Sequence, residues 1–230
     1  MHTGKKGKQF KYFMAGNELE HVETEKDLGV WISSDLKSSN QCVHAYQKAN
    51  RILGMINRTI TWKSADILLP LYKTLVRPLL EYCTVAWSPH YVKDKSLLER
   101  IQHRFTRMVP GLKNKSYEER LQQLGLWTLE ERRNRADLIE VFKILNGLTT
   151  IPFDELFEVD ISGRTRGHSV KLRKNRCKLD VRKYFFCDRV VNRWNNLDEK
   201  TIGSTSVNEF KRNLQRLRDT RMGLFNDYHR

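Results

Sequence analysis

Acidic residues, paired cysteines and unbroken apolar runs are what this chain has least of. Against 42 Lys and Arg stand only 27 Asp and Glu, a net charge of +15 over 230 residues. A surplus of that size favours a polyanionic partner and says nothing about fold. Apolar stretches such as residues 67–72 are far shorter than the ~20 residues that cross a bilayer, so no membrane partner is expected. No basic segment followed by an apolar core opens the chain. The expected location is therefore intracellular, nuclear or cytoplasmic, and not secreted. Cys42, Cys83, Cys177 and Cys187 are scattered with no Cys-x-x-Cys pair, which argues against a disulfide scaffold and fits a reducing compartment.

The motifs of common chemistries are missing too. Nucleotidyl transfer needs paired carboxylates holding two divalent ions about 4 Å apart, and the sequence contains no Asp-Asp dipeptide. Glu118-Glu119 and Glu130-Glu131 sit in first turns of expected helices beside arginines, where capping explains them. Gly4-Lys5-Lys6-Gly7-Lys8 has lysines without the phosphate-loop spacing. His168, Cys177 and Cys187 are too widely spaced to preorganise zinc, and no Ser or Cys nucleophile has a local signature. On these grounds the sequence offers no catalytic residue, no metal ligand set, no cofactor and no small-molecule substrate.

What is present is helical period and positive charge. Aromatic content of 10% argues against disorder, and the length suffices for one good core or two small ones. Residues 9–15 and 21–33 alternate at strand period around Gly16-Asn17, which predicts a small β-hairpin. Gly29 would permit a bend or close backbone approach. From Gln41 the period becomes 3.6: Tyr46, Ala49, Leu53, Ile56 and Ile60 share one face, and His44, Lys48, Arg51 and Arg58 the opposite one. Ser64 can cap a helix that Pro78 must kink or end, and residues 79–87 look the most buried of the chain. Leu97, Leu98, Ile101, Phe105, Met108 and Val109 then face inward, with Arg100, His103, Arg104 and Arg107 outward. Capping boxes at Ser116/Glu119, Thr128/Glu131 and Ser206/Glu209 start three further helices, near 117–125, 129–147 and 207–219. The middle one begins charged and ends apolar. Residues 164–183 carry nine Lys and Arg against one acid, Asp180. Lys211, Arg212, Arg216, Arg218 and Arg221 extend the basic surface near the end. Each basic face reads either as a solvated helix surface or as a row facing phosphates. No residue implies direct reading of bases. Tyr184, Phe185 and Trp194 suit core packing better than stacking.

Ordered motifs then point to a family. Glu25-Lys26-Asp27-Leu28-Gly29-Val30 and Ala49-Asn50-Arg51-Ile52-Leu53-Gly54 are followed by residues 71–82 (LYKTLVRPLLEY) and 98–104 (LERIQHR). Ser116-Tyr117-Glu118-Glu119-Arg120-Leu121, Thr165-Arg166-Gly167-His168-Ser169 and Val190-Val191-Asn192-Arg193-Trp194-Asn195 complete the set. Together they resemble the segment after the palm of non-LTR, LINE-type retrotransposon reverse transcriptases, in particular the chicken-repeat and jockey branch, over residues 1–217. The resemblance implies descent from an RNA-directed DNA polymerase whose full-length members carry an endonuclease, fingers, a palm with a catalytic Asp pair, a helical thumb and a C-terminal region. Residues 1–37 would be the last palm strands, 38–149 a helical thumb-like domain, and 150–230 a basic C-terminal region. The implied fold class is mainly α with a small N-terminal β-hairpin: a thumb-like bundle plus a smaller basic region. The catalytic carboxylates of that family are missing from this sequence, so the chain by itself is read as non-catalytic. Its expected task is to hold RNA, DNA or an RNA–DNA hybrid through phosphates. The candidate residues are Lys48, Arg51, Arg58, Arg100, Arg104 and Arg107, with a second patch of Arg164, Arg166, His168, Lys171, Arg173 and Lys174. The alternatives are a helical protein-interaction module and a translated fragment without activity.

Overall fold

Two tight turns at positive φ shape the N-terminal residues of the computed structural model, which describes residues 1–3, 10–160, 167–220, 223 and 225–227. Ala15 (φ 49°) and Gly16 (φ 80°) join β1 (Phe13–Met14) to β2 (Asn17–Glu18), and Leu28 (φ 43°) and Gly29 (φ 89°) join β3 (Thr24–Asp27) to β4 (Val30–Ser33). Both pairs are antiparallel, with Met14 opposite Asn17 and Asp27 opposite Val30. The expected single hairpin is therefore two, because Leu28-Gly29 reverses a segment that alternation alone reads as one strand. A Cβ on Gly29 would stand 3.3 Å from the Tyr82 ring. The Tyr82 hydroxyl donates to the Leu28 carbonyl at 2.9 Å, so the turn is held by a close approach that glycine permits. β4 docks on the first helix through the Trp31 N–H, which donates to Gln41 Oε1 at 3.0 Å, and through the stack of Trp31 on His44.

The rest is helical: α1 (Ser39–Thr59), α2 (Ala65–Leu71), a π-helical turn (Tyr72–Val76), α3 (Arg77–Glu81), α4 (Thr84–Trp87), α5 (Val92–Met108), α6 (Tyr117–Leu124), α7 (Leu129–Leu145), α8 (Phe153–Leu156), α9 (Asp180–Lys183), α10 (Phe186–Arg189), α11 (Val191–Asn195), α12 (Glu199–Ile202) and α13 (Val207–Thr220). Pro78 has no N–H to give, and the turn before it widens so that the Arg77 N–H reaches the Tyr72 carbonyl. Residues 79–87 are not the most buried segment. Tyr82 and Cys83 are exposed, and Cys83 at φ 53° interrupts the helix. The capping boxes at Ser116 and Thr128 are complete. At the third, the Glu209 N–H donates to the Ser206 hydroxyl, but the Glu209 carboxylate accepts from the Thr205 N–H instead. Ser64 precedes α2 without a hydroxyl cap.

The chain divides into two compact units. The first comprises Met1–Cys83 and Trp87–Leu126. Its core holds Leu53, Leu68, Tyr72, Leu98, Ile101 and Phe105, with the Tyr72 and Phe105 rings stacked 4.0 Å apart. The second comprises Thr84–Ala86 and Trp127–Arg230 and centres on Trp194, Phe142, Phe210 and Leu214. The expected divisions lie near 37 and 150; the two compact units divide at Leu126/Trp127, with Thr84–Ala86 in the second. The reason is physical: the hairpin leans on α1, and the apolar half of α7 (Leu138, Val141, Phe142) has α13 as its partner.

The charged start of α7 is buried as well. Arg189 makes a bidentate pair with Asp137, both contacts 2.8 Å, and Arg218 another with Glu131 at 3.0 and 3.1 Å. Such pairs satisfy groups that would otherwise be costly inside a protein. Leu53 is fully buried beneath α1. Leu53→Ala is expected to cost about 2–5 kcal/mol of first-unit stability in urea denaturation, and a loss under about 1 kcal/mol would contradict a close-packed seam there.

Candidate nucleic-acid interface

The first basic surface is built by the pairing of α1 with α5. The Ser39 hydroxyl donates to Asp94 at 2.6 Å near the start of both helices, and Arg104 Nη1 donates to Asn50 Oδ1 at 2.6 Å near their middles. Eleven residues separate the α1 partners and ten the α5 partners, so the helices run parallel and nearly in step. Taking about 100° per residue, the cross-links fix which side of each helix faces the other. Lys48, Arg51 and Arg58 on α1 and Arg100 and Arg107 on α5 then fall on the same outer side of the pair, opposite Leu53, Ile56, Ile101 and Phe105. All five are exposed, as is Arg104 at the junction. At 1.5 Å per residue, Lys48 to Arg58 spans roughly 15 Å and Arg100 to Arg107 roughly 10 Å, the rise of a few nucleotides of one strand.

Acidic side chains are kept off this surface. α1 contains no Asp or Glu in its 21 residues. α5 has two. Asp94 is buried against Ser39, and Glu99 accepts the Tyr117 hydroxyl together with Gln102 Nε2. Gln102 is itself fully buried, donating to the Tyr117 oxygen at 3.0 Å and accepting from the Tyr72 hydroxyl at 2.7 Å. Burial, then Glu99, push the Tyr117 hydroxyl well above its ordinary pKa, so it stays a donor. The carboxylates of α5 are thus spent inside the unit, and the outer face is left to cations.

The second expected patch is dispersed. Arg164 and Arg166 lie outside the described residues. His168 is buried, and its Nε2 lies 3.0 Å from the Trp194 carbonyl, so that nitrogen carries the hydrogen; among the described residues Nδ1 has no hydrogen-bond partner. Lys171 Nζ donates to the Asn195 carbonyl at 2.9 Å. Arg173 pairs with Glu158 at 3.0 Å beside a hollow that Asp154 and Asp160 also line. Lys174 is exposed. Of the described residues expected here, only Lys174 is presented to solvent without such an engagement. His168 belongs to the packing of the second unit. Trp194 Nε1 donates to the Val170 carbonyl, and the Asn195 amide pairs with both backbone groups of Leu172 at 2.8 Å. The segments 167–172 and 190–195 are therefore stitched to each other. Of the later cations, Arg216 pairs with Asp198 at 2.9 Å and Arg218 with Glu131, while Arg221 lies outside the described residues. Trp194 is fully buried and Phe185 half exposed.

Two residues escaped the sequence reading. Trp62, beyond the end of α1, is 76% exposed. Arg120 on α6 is buried beside Tyr117, although its sequence context reads only as a helix start. Among the described residues no His, Cys, Asp and Glu cluster could hold a metal, and no helix is long and apolar enough to cross a membrane. Compared with protein-family models, curated proteins and solved structures, the chain matches none of them.

Burial holds the His168 pKa below the ordinary value of 6.5, against the opposing pull of its bond to Trp194. The unfolded chain therefore takes up this proton first as the pH falls. The contribution of His168 is fully present above about pH 6.5 and lost as the pH drops toward the lowered folded value. Urea denaturation of the second unit is expected to show lower stability at pH 5.5 than at pH 7.5, with a smaller difference in His168→Gln. An undiminished difference in that variant would assign the effect elsewhere.

Proposed function

We propose that the chain binds the sugar–phosphate backbone of RNA, DNA or an RNA–DNA hybrid through the outer face of α1 and α5, without catalysing polymerisation by itself. The observation that carries this reading is the gathering of Lys48, Arg51, Arg58, Arg100, Arg104 and Arg107 on one exposed face, with no acid on α1 and the two acids of α5 engaged elsewhere. Cations so placed act on phosphates at any sequence, which is positioning without base readout. The resemblance to the post-palm portion of LINE-type reverse transcriptases fits the same task, since a thumb holds template and primer through their backbones. On that resemblance the chain would be related to an RNA-directed DNA polymerase and would lack the catalytic Asp pair. The second basic region takes less part in this reading, because His168 is buried and Lys171 and Arg173 are engaged by the Asn195 carbonyl and Glu158.

A second reading, a protein-interaction module, is favoured by one observation. The first hairpin exposes Phe10, Tyr12, Phe13 and Met14 together, an apolar group uncommon on a surface with no partner.

Binding of a labelled RNA–DNA hybrid across a salt series separates the two. With about six phosphates neutralised, affinity is expected to fall about 10³-fold between 50 and 200 mM salt, the logarithmic slope being near −0.9 per contact. Arg51→Gln with Arg100→Gln should flatten that slope by about two contacts. Affinity indifferent to salt, or unchanged by the double substitution, would remove the proposal.

A further inference from the structure

The most unusual side chain in the first unit is Arg120. It is 2% exposed, yet among the described residues neither Nε nor Nη1 has a hydrogen-bond partner. A buried guanidinium left unpaired is costly, and arginines in protein interiors almost always have carboxylate or carbonyl partners. Its surroundings are cationic and aromatic. The guanidinium lies 5.6 Å from the centre of the Tyr117 ring, and the His103 ring stacks on the same tyrosine at 3.6 Å. Arg107 stands one turn beyond His103 on α5, and its charge is felt at both His103 and Arg120. Tyr117 is itself held through its hydroxyl by Glu99 and the buried Gln102, so the ring that both Arg120 and His103 contact is fixed in place. Glu118 acts electrostatically on His103 and Arg120 but forms no ion pair with either among the described residues.

From this arrangement we infer that Arg120, His103 and Arg107 form a site for one phosphate group at the junction of α5 and α6, adjoining the basic face of α5. A tetrahedral oxyanion accepts from several donors at once. The guanidinium of Arg120 would supply N–H groups from Nε and Nη1, with Arg107 adding charge. The His103 ring lends a further N–H. No covalent step is involved. The inference rests on the backbone-binding reading in one respect only, that the phosphate is supplied by a nucleic-acid strand. Inorganic phosphate presents the same chemistry from another source.

The test uses the full chain, with Arg120→Met as the main variant. Methionine keeps the apolar stem and removes the unpaired charge, so a purely structural Arg120 predicts unchanged or higher stability and no effect on ligands. In the first arm, inorganic phosphate is titrated against each protein at constant ionic strength, with chloride as control, and thermal unfolding is followed. The wild type is expected to gain several degrees in Tm from phosphate over chloride, and Arg120→Met to gain none. In the second arm, the RNA–DNA hybrid is titrated, and Arg120→Met is expected to bind about 5- to 20-fold more weakly with a salt slope lower by about one contact. Lys113→Gln, in the loop after α5, serves as a control for loss of one positive charge. Equal phosphate response in wild type and Arg120→Met overturns the site while leaving the hybrid reading intact. A phosphate response abolished by Arg120→Met, in a protein that ignores the hybrid, keeps the site and removes the nucleic-acid source. Loss of affinity in Lys113→Gln equal to that in Arg120→Met would reduce the effect to net charge and also overturn the site.

Discussion

The parallel seam between α1 and α5 is the constraint on which the first unit depends. Each helix commits one face to the core, and the links Ser39–Asp94 and Asn50–Arg104 fix their relative rotation. Once that rotation is fixed, the cations of both helices have only one direction left to face. Burial of apolar surface supplies most of the free energy, of the order of 1.5–3 kcal/mol for each large side chain fully buried. The polar links decide orientation more than strength. Ala45 and Ala49, both buried, are small residues on the core face of α1.

Much of this was legible in the sequence, because helical period and capping chemistry are local. The apolar face of α1, the outward arginines of α5 and the boxes at Ser116 and Thr128 follow from spacing alone. The second turn of the N-terminal region was not, since Leu28-Gly29 reverses the chain inside a segment that alternates as one strand would. The exposed Tyr82 and Cys83 were misread for a related reason. Continuous apolar sequence implies burial only if the helix continues, and Cys83 in the left-handed region ends it.

Long-range pairing accounts for the remaining differences. Nothing local to residues 164–183 shows that His168 inserts beneath Trp194 or that Arg173 meets Glu158. In the second unit Lys171, Arg173 and Arg182 of the dense basic run are engaged by a carbonyl and two carboxylates, while Lys174, Arg176, Lys178 and Lys183 remain exposed. In the first unit the opposite happened, since the carboxylates of α5 turned inward and left the cations outside. Arg120 belongs with these cases. Its sequence neighbours announce a helix start, and only the packing of α6 against α5 makes it buried and unpaired.

The surface formed by α1 and α5 can be probed residue by residue with arginine side-chain Nε–H resonances in a ¹⁵N spectrum, recorded as an RNA–DNA hybrid is added at low salt. The account predicts that Arg51, Arg58, Arg100, Arg104 and Arg107 shift together while the paired Arg189 and Arg218 stay in place. Shifts confined to arginines of the second unit, or none at all at saturating hybrid, would contradict it.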